Sequence, residues 1–387
     1  MLLAHANIDE VIRVAKLSGA DAIHPGYGLL SESPEFADAC AENGIIFIGP
    51  KPDTMRRLGN KVAARNLAIE IGVPVVPATD PLPDDMDEVT RLADEIGYPV
   101  MLKASWGGGG RGMRAIRDRK DLAREVTEAK REAKAAFGKD EVYLEKLVER
   151  ARHVESQILG DTHGNAVHLF ERDCSVQRRN QKVVERAPAP YLTEAQRQEL
   201  AAYSLKIANA TGYVGAGTVE YLMDIDTGAF YFIEVNPRIQ VEHTVTEEVT
   251  GIDIVKAQIH ILEGKAIGTP ESGVPAQADI RLNGHALQCR ITTEDPEQNF
   301  IPDYGRITAY RGATGFGIRL DGGTAYSGAV ITRYYDPLLE KVTAWAPTPE
   351  ETIRRMDRAL REFRIRGVKT NLVFLEELIG GEAFVNW

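Results

Sequence analysis

The chain has 387 residues, 43% of them hydrophobic, and a formal net charge of −11, enough for two or three domains with sizeable cores. That acidity excludes nonspecific binding to nucleic acid or to a membrane surface, and no apolar run reaches the length of a membrane span. The first residues lack a signal-peptide pattern, and Cys40, Cys174 and Cys289 stand too far apart for a disulfide framework or a zinc site, which places the chain in the cytoplasm with reduced core cysteines.

Residues 8 to 18 have the spacing of an amphipathic helix, and Asp21-Ala22-Ile23 reads as a short strand entering the His24-Pro25-Gly26-Tyr27-Gly28 turn. Pro34 to Glu42 is helical and Gly44 to Gly49 a buried strand, an alternation of parallel-sheet type. Two strands are too few for a stable sheet, so the opening repeats of this domain are expected outside the chain. Lys61 falls on a helix from Asn60 to Ile71. The proline-rich residues 74–85 read as a connector, followed by a helix from Met86 to Ile96 and a strand from Tyr98 to Ser105.

Gly107, Gly108, Gly109, Gly110 and Gly112 come next. Gly107, Gly109 and Gly112 satisfy the spacing of a dinucleotide-binding loop, but that loop joins a strand to a helix, whereas this one leads into a second strand from Met113 to Arg117. The run reads instead as a glycine flap whose backbone N–H groups close over phosphates, with Lys103 on the preceding strand placed to meet one. A helix from Asp121 to Phe137 leads to a strand from Val142 to Val148. Glu171 to Lys182, with Arg186, supplies a local positive field; taken alone it reads as a solvated basic loop.

Gly217 to Asp224 alternates apolar and polar residues, Asp226-Thr227-Gly228 turns the chain, and Phe230 to Glu234 returns, a β-hairpin that sets Glu220 opposite Glu234. From Glu234 to Glu242 the two-residue period of an extended segment puts Glu234, Asn236, Arg238, Gln240 and Glu242 on one face and Val235, Pro237, Ile239 and Val241 on the other. Glu220, Glu234 and Asn236 form an all-oxygen cluster suited to Mg²⁺ or Mn²⁺ shared with phosphate, with a nucleotide as co-ligand. A helix from Ile252 to Glu263 follows, then short strands at His285 to Ile291, Gly305 to Arg311, Gly317 to Leu320 and Leu338 to Ala346. Thr348 to Glu351 is a capping box, opening a helix with Ile353, Met356, Leu360 and Phe363 along one stripe.

HPGYG at 24–28, LGNK at 58–61, KASWGGGGRGMR at 103–114, RHVESQ at 152–157, ERDCSVQRR at 171–179 and EVNPRIQVEHTVTE at 234–247 together resemble the biotin carboxylases, the ATP-grasp enzymes of biotin-dependent carboxylases. The likeness runs through essentially the whole chain. Trp106, FIPDYGRITAYR at 300–311 and FRIRGVKTN at 363–371 look most like the biotin carboxylase part of bacterial pyruvate carboxylases. The resemblance implies an α/β and α+β ATP-grasp fold. It divides into a partial N-terminal Rossmann-like domain over 1–50, connecting helices over 51–75, a lid over 76–147, the ATP-grasp core over 148–275 and a β-rich C-terminal subdomain over 285–387.

It also implies that ATP phosphorylates bicarbonate to carboxyphosphate, which releases CO₂ to N1′ of biotin. Lys61, Lys103, Gly107 to Gly112, Glu145, Lys146, His153 and Gln177 would hold MgATP, with backbone contact left open at Glu145 and Lys146. Glu220, Glu234 and Asn236 would hold two Mg²⁺ or Mn²⁺ ions. Lys182, Arg238, Gln240, Val241 and Glu242 would hold bicarbonate, with Glu242 as the base, and Arg290 would stabilise biotin's enolate-like anion. Biotin is expected on a biotinyl carrier domain and the final transfer in a carboxyltransferase domain, both outside this chain, in a homo-oligomer. The expected acceptor is pyruvate. Alternatives are an acetyl-CoA, propionyl-CoA or urea carboxylase, a carbamoyl-phosphate-synthetase-like ligase, or an inactive MgATP-binding fragment. Asn180, where many members carry His, and Arg366, where the free-standing bacterial enzyme carries Asp, depart from the pattern.

Overall fold

A computed structural model describes residues 7–105, 113–323 and 325–386; Trp106 and the glycines from Gly107 to Gly112 lie outside these. Local caps set the first helices. In α1 (Ile8–Ser18) the Asn7 side chain accepts from Glu10 N–H, and in α2 (Pro34–Glu42) Ser33 accepts from Phe36 N–H with Pro34 in the first turn. The strands β1 (Ala22–Ile23) and β2 (Ile46–Phe47) pair in parallel as expected, over a small core that includes Phe36, Cys40, Phe47 and Met55. Helix α3 (Pro52–Gly59) leads to α4 (Lys61–Glu70), whose N-terminus is capped by Asn60.

The next unit contains α5 (Met86–Ile96), β3 (Val100–Ala104), β4 (Arg114–Ile116), α6 (Leu122–Phe137) and β5 (Val142–Lys146). Its three strands run in the order β4-β3-β5, all antiparallel, with Val100 opposite Ile116. The glycine run therefore joins strand to strand, which removes the dinucleotide-fold reading. Leu102, Leu144, Val89, Ile116 and Leu122 form the apolar core beneath.

The rest of the chain is built on one eight-stranded sheet. It contains β6 (Ala151–Gly160), β7 (Ala166–Arg178), β8 (Gln181–Ala187), β9 (Gly215–Asp224), β10 (Phe230–Asn236) and β11 (His285–Thr292), in the order β10-β9-β6-β7-β8-β11, continued by Leu338–Ala346 and Ile318–Gly322. Its two faces pack against helices that include α7 (Glu194–Thr211), α9 (Ile254–Leu262) and α10 (Pro349–Glu362). Thr348 accepts from Glu351 N–H to start α10, and Met356, Leu360 and Phe363 are buried along its stripe. All three cysteines are buried and free. Among the described residues no helix is long and apolar enough to cross a membrane.

Two sequence expectations fail here for physical reasons. Residues 171–182 are no solvated loop: they lie mostly in β7 and β8, joined by Arg179 and Asn180 with φ of 51° and 63°, the positive values that two-residue hairpin turns demand. Nor is 234–242 one extended segment. Burial alternates as expected through Val235, Pro237 and Ile239, but the strand ends at Asn236, where Pro237 offers no N–H to the ladder, and Glu242 becomes the residue capping α8 (His243–Thr250). The helix expected from Ile252 starts at Ile254 under an Asp253 cap.

Candidate active site

Strand register places four charged side chains in one row across the sheet. Glu234 on β10 stands opposite Glu220 on β9, Glu220 opposite Glu155 on β6, and Glu155 opposite Arg172 on β7. Three neighbouring carboxylates repel one another, so the row stands only because cations are threaded through it. Lys61 Nζ lies 3.0 Å from Glu234 Oε2, and His153 Nε2 lies 3.1 Å from Glu220 Oε2. Lys182 Nζ donates to Glu155, to Glu220 Oε1 at 2.8 Å and to Glu242 Oε1 at 2.7 Å, at the meeting point of three carboxylates.

Arg172 is fully buried and spends its guanidinium on four acceptors: Glu155 Oε1 at 2.6 Å, Gln157 Oε1 at 2.7 Å, Thr246 Oγ1 at 2.9 Å and Thr218 Oγ1 at 3.0 Å. It thereby ties β6, β7 and β9 to α8, the helix that Glu242 begins. The second oxygen of Glu242 accepts from Arg290 Nη2 at 3.0 Å, and Arg290 Nε donates to Glu185 Oε1 at 2.6 Å.

Electrostatics follow from this threading. Burial alone would push the Glu242 carboxyl up, but Lys182, Arg290 and Arg172 hold it far below the usual carboxylate range. Glu220 behaves likewise under Lys182 and His153. Burial would depress Lys182, yet Glu155, Glu220 and Glu242 hold it well above an ordinary lysine. His153 is also raised: burial opposes its charge and the Glu220 carboxylate outweighs that. At neutral pH, Glu242 is therefore an ionised carboxylate in a dry site, a group able to accept a proton.

Beyond Asn236, the connecting segment brings the remaining anion-pocket candidates to the same place. Asn236 Nδ2 donates to Glu220 Oε1 at 2.9 Å, while Arg238 donates to Gln240 Oε1 at 3.1 Å and Asn236 Oδ1 at 3.3 Å and pairs with Glu32 at 2.7 Å. The Val241 carbonyl accepts from Lys341 Nζ at 3.0 Å. Lys103 pairs with Glu145 across β3 and β5. Lys146 Nζ donates to the carbonyls of Gly97 and Tyr98, and Gln177 Nε2 to the carbonyl of Cys174. Their side chains are thus committed to backbone carbonyls of the protein itself. Asn180 is exposed at its turn, and Arg366 is exposed on a two-stranded ribbon opposite Ala309.

Glu155, Arg172, Glu185 and Gln288 are the site residues that sequence reading missed. Glu155 had a signal, since it lies two residues from His153 on one strand face. Of the metal-site candidates, Glu220 and Glu234 face each other across β9 and β10, and Asn236 bonds Glu220. This all-oxygen set fits a hard divalent cation. His153, Glu155 and Glu220 also bring one ligand atom each within 4.8 Å of one another.

Known proteins resemble this chain over nearly its whole length. Residues 3–55, 60–269 and 288–387 match the family models of the biotin carboxylase N-terminal domain, the carbamoyl-phosphate synthase L chain ATP-binding domain and the biotin carboxylase C-terminal domain. The chain belongs to the biotin carboxylase family. Among solved biotin carboxylase relatives, a Rhizobium etli pyruvate carboxylase crystallised with acetyl coenzyme A is 84% identical, with a TM-score of 0.95 over 98% of this chain and 33% of that one. The biotin carboxylase domain of Hydrogenobacter thermophilus 2-oxoglutarate carboxylase is 45% identical, with a TM-score of 0.93 over 98% of this chain and 82% of that one. Pyruvate carboxylase of Bacillus subtilis is 50% identical over 99% of this chain and 33% of its own length. The chain thus spans about a third of the curated relatives it matches, and its architecture is the ATP-grasp fold of biotin carboxylases.

Proposed function

We propose that the chain carboxylates biotin at the expense of MgATP and bicarbonate, as the biotin carboxylase part of a pyruvate carboxylase. The observation that carries this reading is Glu242, a fully buried carboxylate with one oxygen on Lys182 and the other on Arg290. Bicarbonate is a poor nucleophile until it loses its proton, and an ionised carboxylate beside two cations is the group to take it. In this reading Lys182 and Arg238 bind the anion, Glu242 removes its proton as its oxygen attacks the γ-phosphorus, and ADP leaves. As bicarbonate draws Lys182 away from Glu242, the carboxylate becomes a stronger base.

Lys61 and Lys103 then meet phosphate oxygens, with His153 beside them. Mg²⁺ or Mn²⁺ on Glu220, Glu234 and Asn236 supplies charge neutralisation at those oxygens when bound. Carboxyphosphate breaks down to CO₂ and phosphate, the phosphate takes the N1′ proton, and the resulting biotin anion attacks CO₂ at N1′ while Arg290 holds the negative charge on the ureido oxygen. The Hydrogenobacter thermophilus domain, described as a dimer in complex with MgADP, ADP and bicarbonate, supports the substrate set, and the 84% identity to the Rhizobium etli enzyme supports pyruvate as final acceptor. The carrier domain, the carboxyltransferase domain and a homo-oligomer complete the proposal, as do the lid over 76–147 and the C-terminal subdomain over 285–387.

The test is ATP cleavage by the purified protein with Mg²⁺ and bicarbonate, with and without free biotin. Biotin-stimulated cleavage is the expected result. Cleavage that needs bicarbonate but ignores biotin would replace this reading with a carbamoyl-phosphate-synthetase-like one.

A further inference from the structure

Glu185 is fully buried on β8, directly opposite Gln288 on β11. Its two oxygens accept from two different donors, Arg290 Nε at 2.6 Å and Gln288 Nε2 at 2.8 Å. Glu185, which can only accept while ionised, turns the Gln288 N–H₂ toward itself, and the Gln288 oxygen then accepts from Thr244 Oγ1 at 2.6 Å, with Thr244 in turn bonding Thr343 at 2.9 Å. Thr244 sits two residues after Glu242 on α8, and Glu242 receives Arg290 Nη2. The contacts close a ring: Glu242, along the backbone to Thr244, then Gln288, Glu185, Arg290 and back to Glu242.

The ring dictates what position 185 must be. Both neighbours present N–H groups, so the side chain there must offer two acceptors and no donor, which an ionised carboxylate does and an amide or a protonated acid does not. A buried donor left facing another donor loses its bond and keeps its desolvation cost. From this geometry we infer that Glu185 is a positioning residue for biotin carboxylation: it fixes the guanidinium of Arg290 against Glu242 and so sets where the developing charge of biotin is received. The inference rests on the functional reading above and deepens it at one residue. Glu185 touches no reacting atom; it acts through Arg290.

Three proteins test it: wild type, Glu185→Gln, and the double variant Glu185→Gln with Gln288→Glu. In the single variant the amide N–H₂ must face either Arg290 or Gln288. In the double variant the acceptors are redistributed: the new amide donates to the carboxylate at 288, which still accepts from Thr244, and its carbonyl receives Arg290, at unchanged net charge. Biotin-stimulated ATP cleavage is expected to fall about tenfold or more in the single variant, with KM for MgATP within about twofold of wild type, and to recover by most of that factor in the double variant.

A single variant within twofold of wild type overturns the proposal, and so does a double variant that is no more active than the single while melting at the wild-type temperature. If the single variant fails to fold, activity in the double variant alone still carries the complementarity argument. Wild-type protein with no biotin stimulation would sink the functional reading. The ring is then judged on melting midpoints, where the double variant is expected above the single and the reverse order overturns it.

Discussion

The three-stranded unit of β3, β4 and β5 and the eight-stranded sheet solve the same packing problem with opposite chemistry. Beneath β3, β4 and β5 the core is aliphatic, and charge stays at the surface, as where Arg114 reaches Glu125, Glu128 and Glu132 at 3.0, 2.8 and 2.6 Å. In and beside the charged row of the large sheet the buried groups are themselves charged: Glu155, Arg172, Glu185 and Glu242 are all fully buried. Such a row is poor value for stability, since removing ions from water costs what their attraction returns. The large sheet accepts that cost because a dry, preorganised set of charges is what phosphoryl and carboxyl transfer require.

The sharpest break of this contrast is at Glu242. Glu242→Gln removes the base while keeping the shape, and turnover is expected to fall by roughly 10² to 10⁴ with MgATP binding nearly intact; steady-state rates beside a nucleotide titration check it. Arg172→Met tests the cost of interrupting buried charge: it leaves Glu155 with Lys182 to neutralise it and strips Gln157, Thr218 and Thr246 of their donor, and should destabilise the fold by about 3–5 kcal/mol, measured as a lower urea midpoint at unchanged slope.

Acid sensitivity should also sort by region, because residues 76–147 contain no histidine, whereas burial pushes His168 on β7 down to about 4. Above the unfolded value of about 6.5 His168 is neutral in both states and adds no pH dependence. As pH falls from there toward 4 the unfolded chain takes up a proton that the folded chain refuses, so stability drops. His168→Gln should flatten the melting temperature over that window, and an unchanged slope would count against the assignment. The smallest effect belongs to the three-stranded unit: Arg114→Gln should cost about 1 kcal/mol or less, and less still in high salt, read from the same urea curves.

This contrast also governs how much the sequence discloses. The helices Pro34 to Glu42 and Met86 to Ile96 are legible to the residue, and the hairpin that opposes Glu220 to Glu234 follows from its turn chemistry. Helix α7 is absent from the expected elements because its buried positions include Ala201, Ser204, Ala208 and Thr211, too small or polar to draw an apolar stripe. Arg172 is the instructive miss. Inside ERDCSVQRR it reads as one more surface cation, and only the pairing of β7 with β6 shows that it lies under the sheet's carboxylates. Glu185 and Gln288 stand 103 positions apart in the chain, and no local pattern couples them.

The backbone pairing of β8 with β11 has a mechanical meaning for turnover. Lys182 and Glu185 ride on one of these strands and Arg290 on the other, and the paired stretch of Val184 to Ala187 against Ala286 to Cys289 holds the two strands about 4.8 Å apart. Changing that separation means peeling a central ladder apart, an event as rare as global unfolding. Side chains carried on that ladder therefore keep their relative placement through the local motions of the chain.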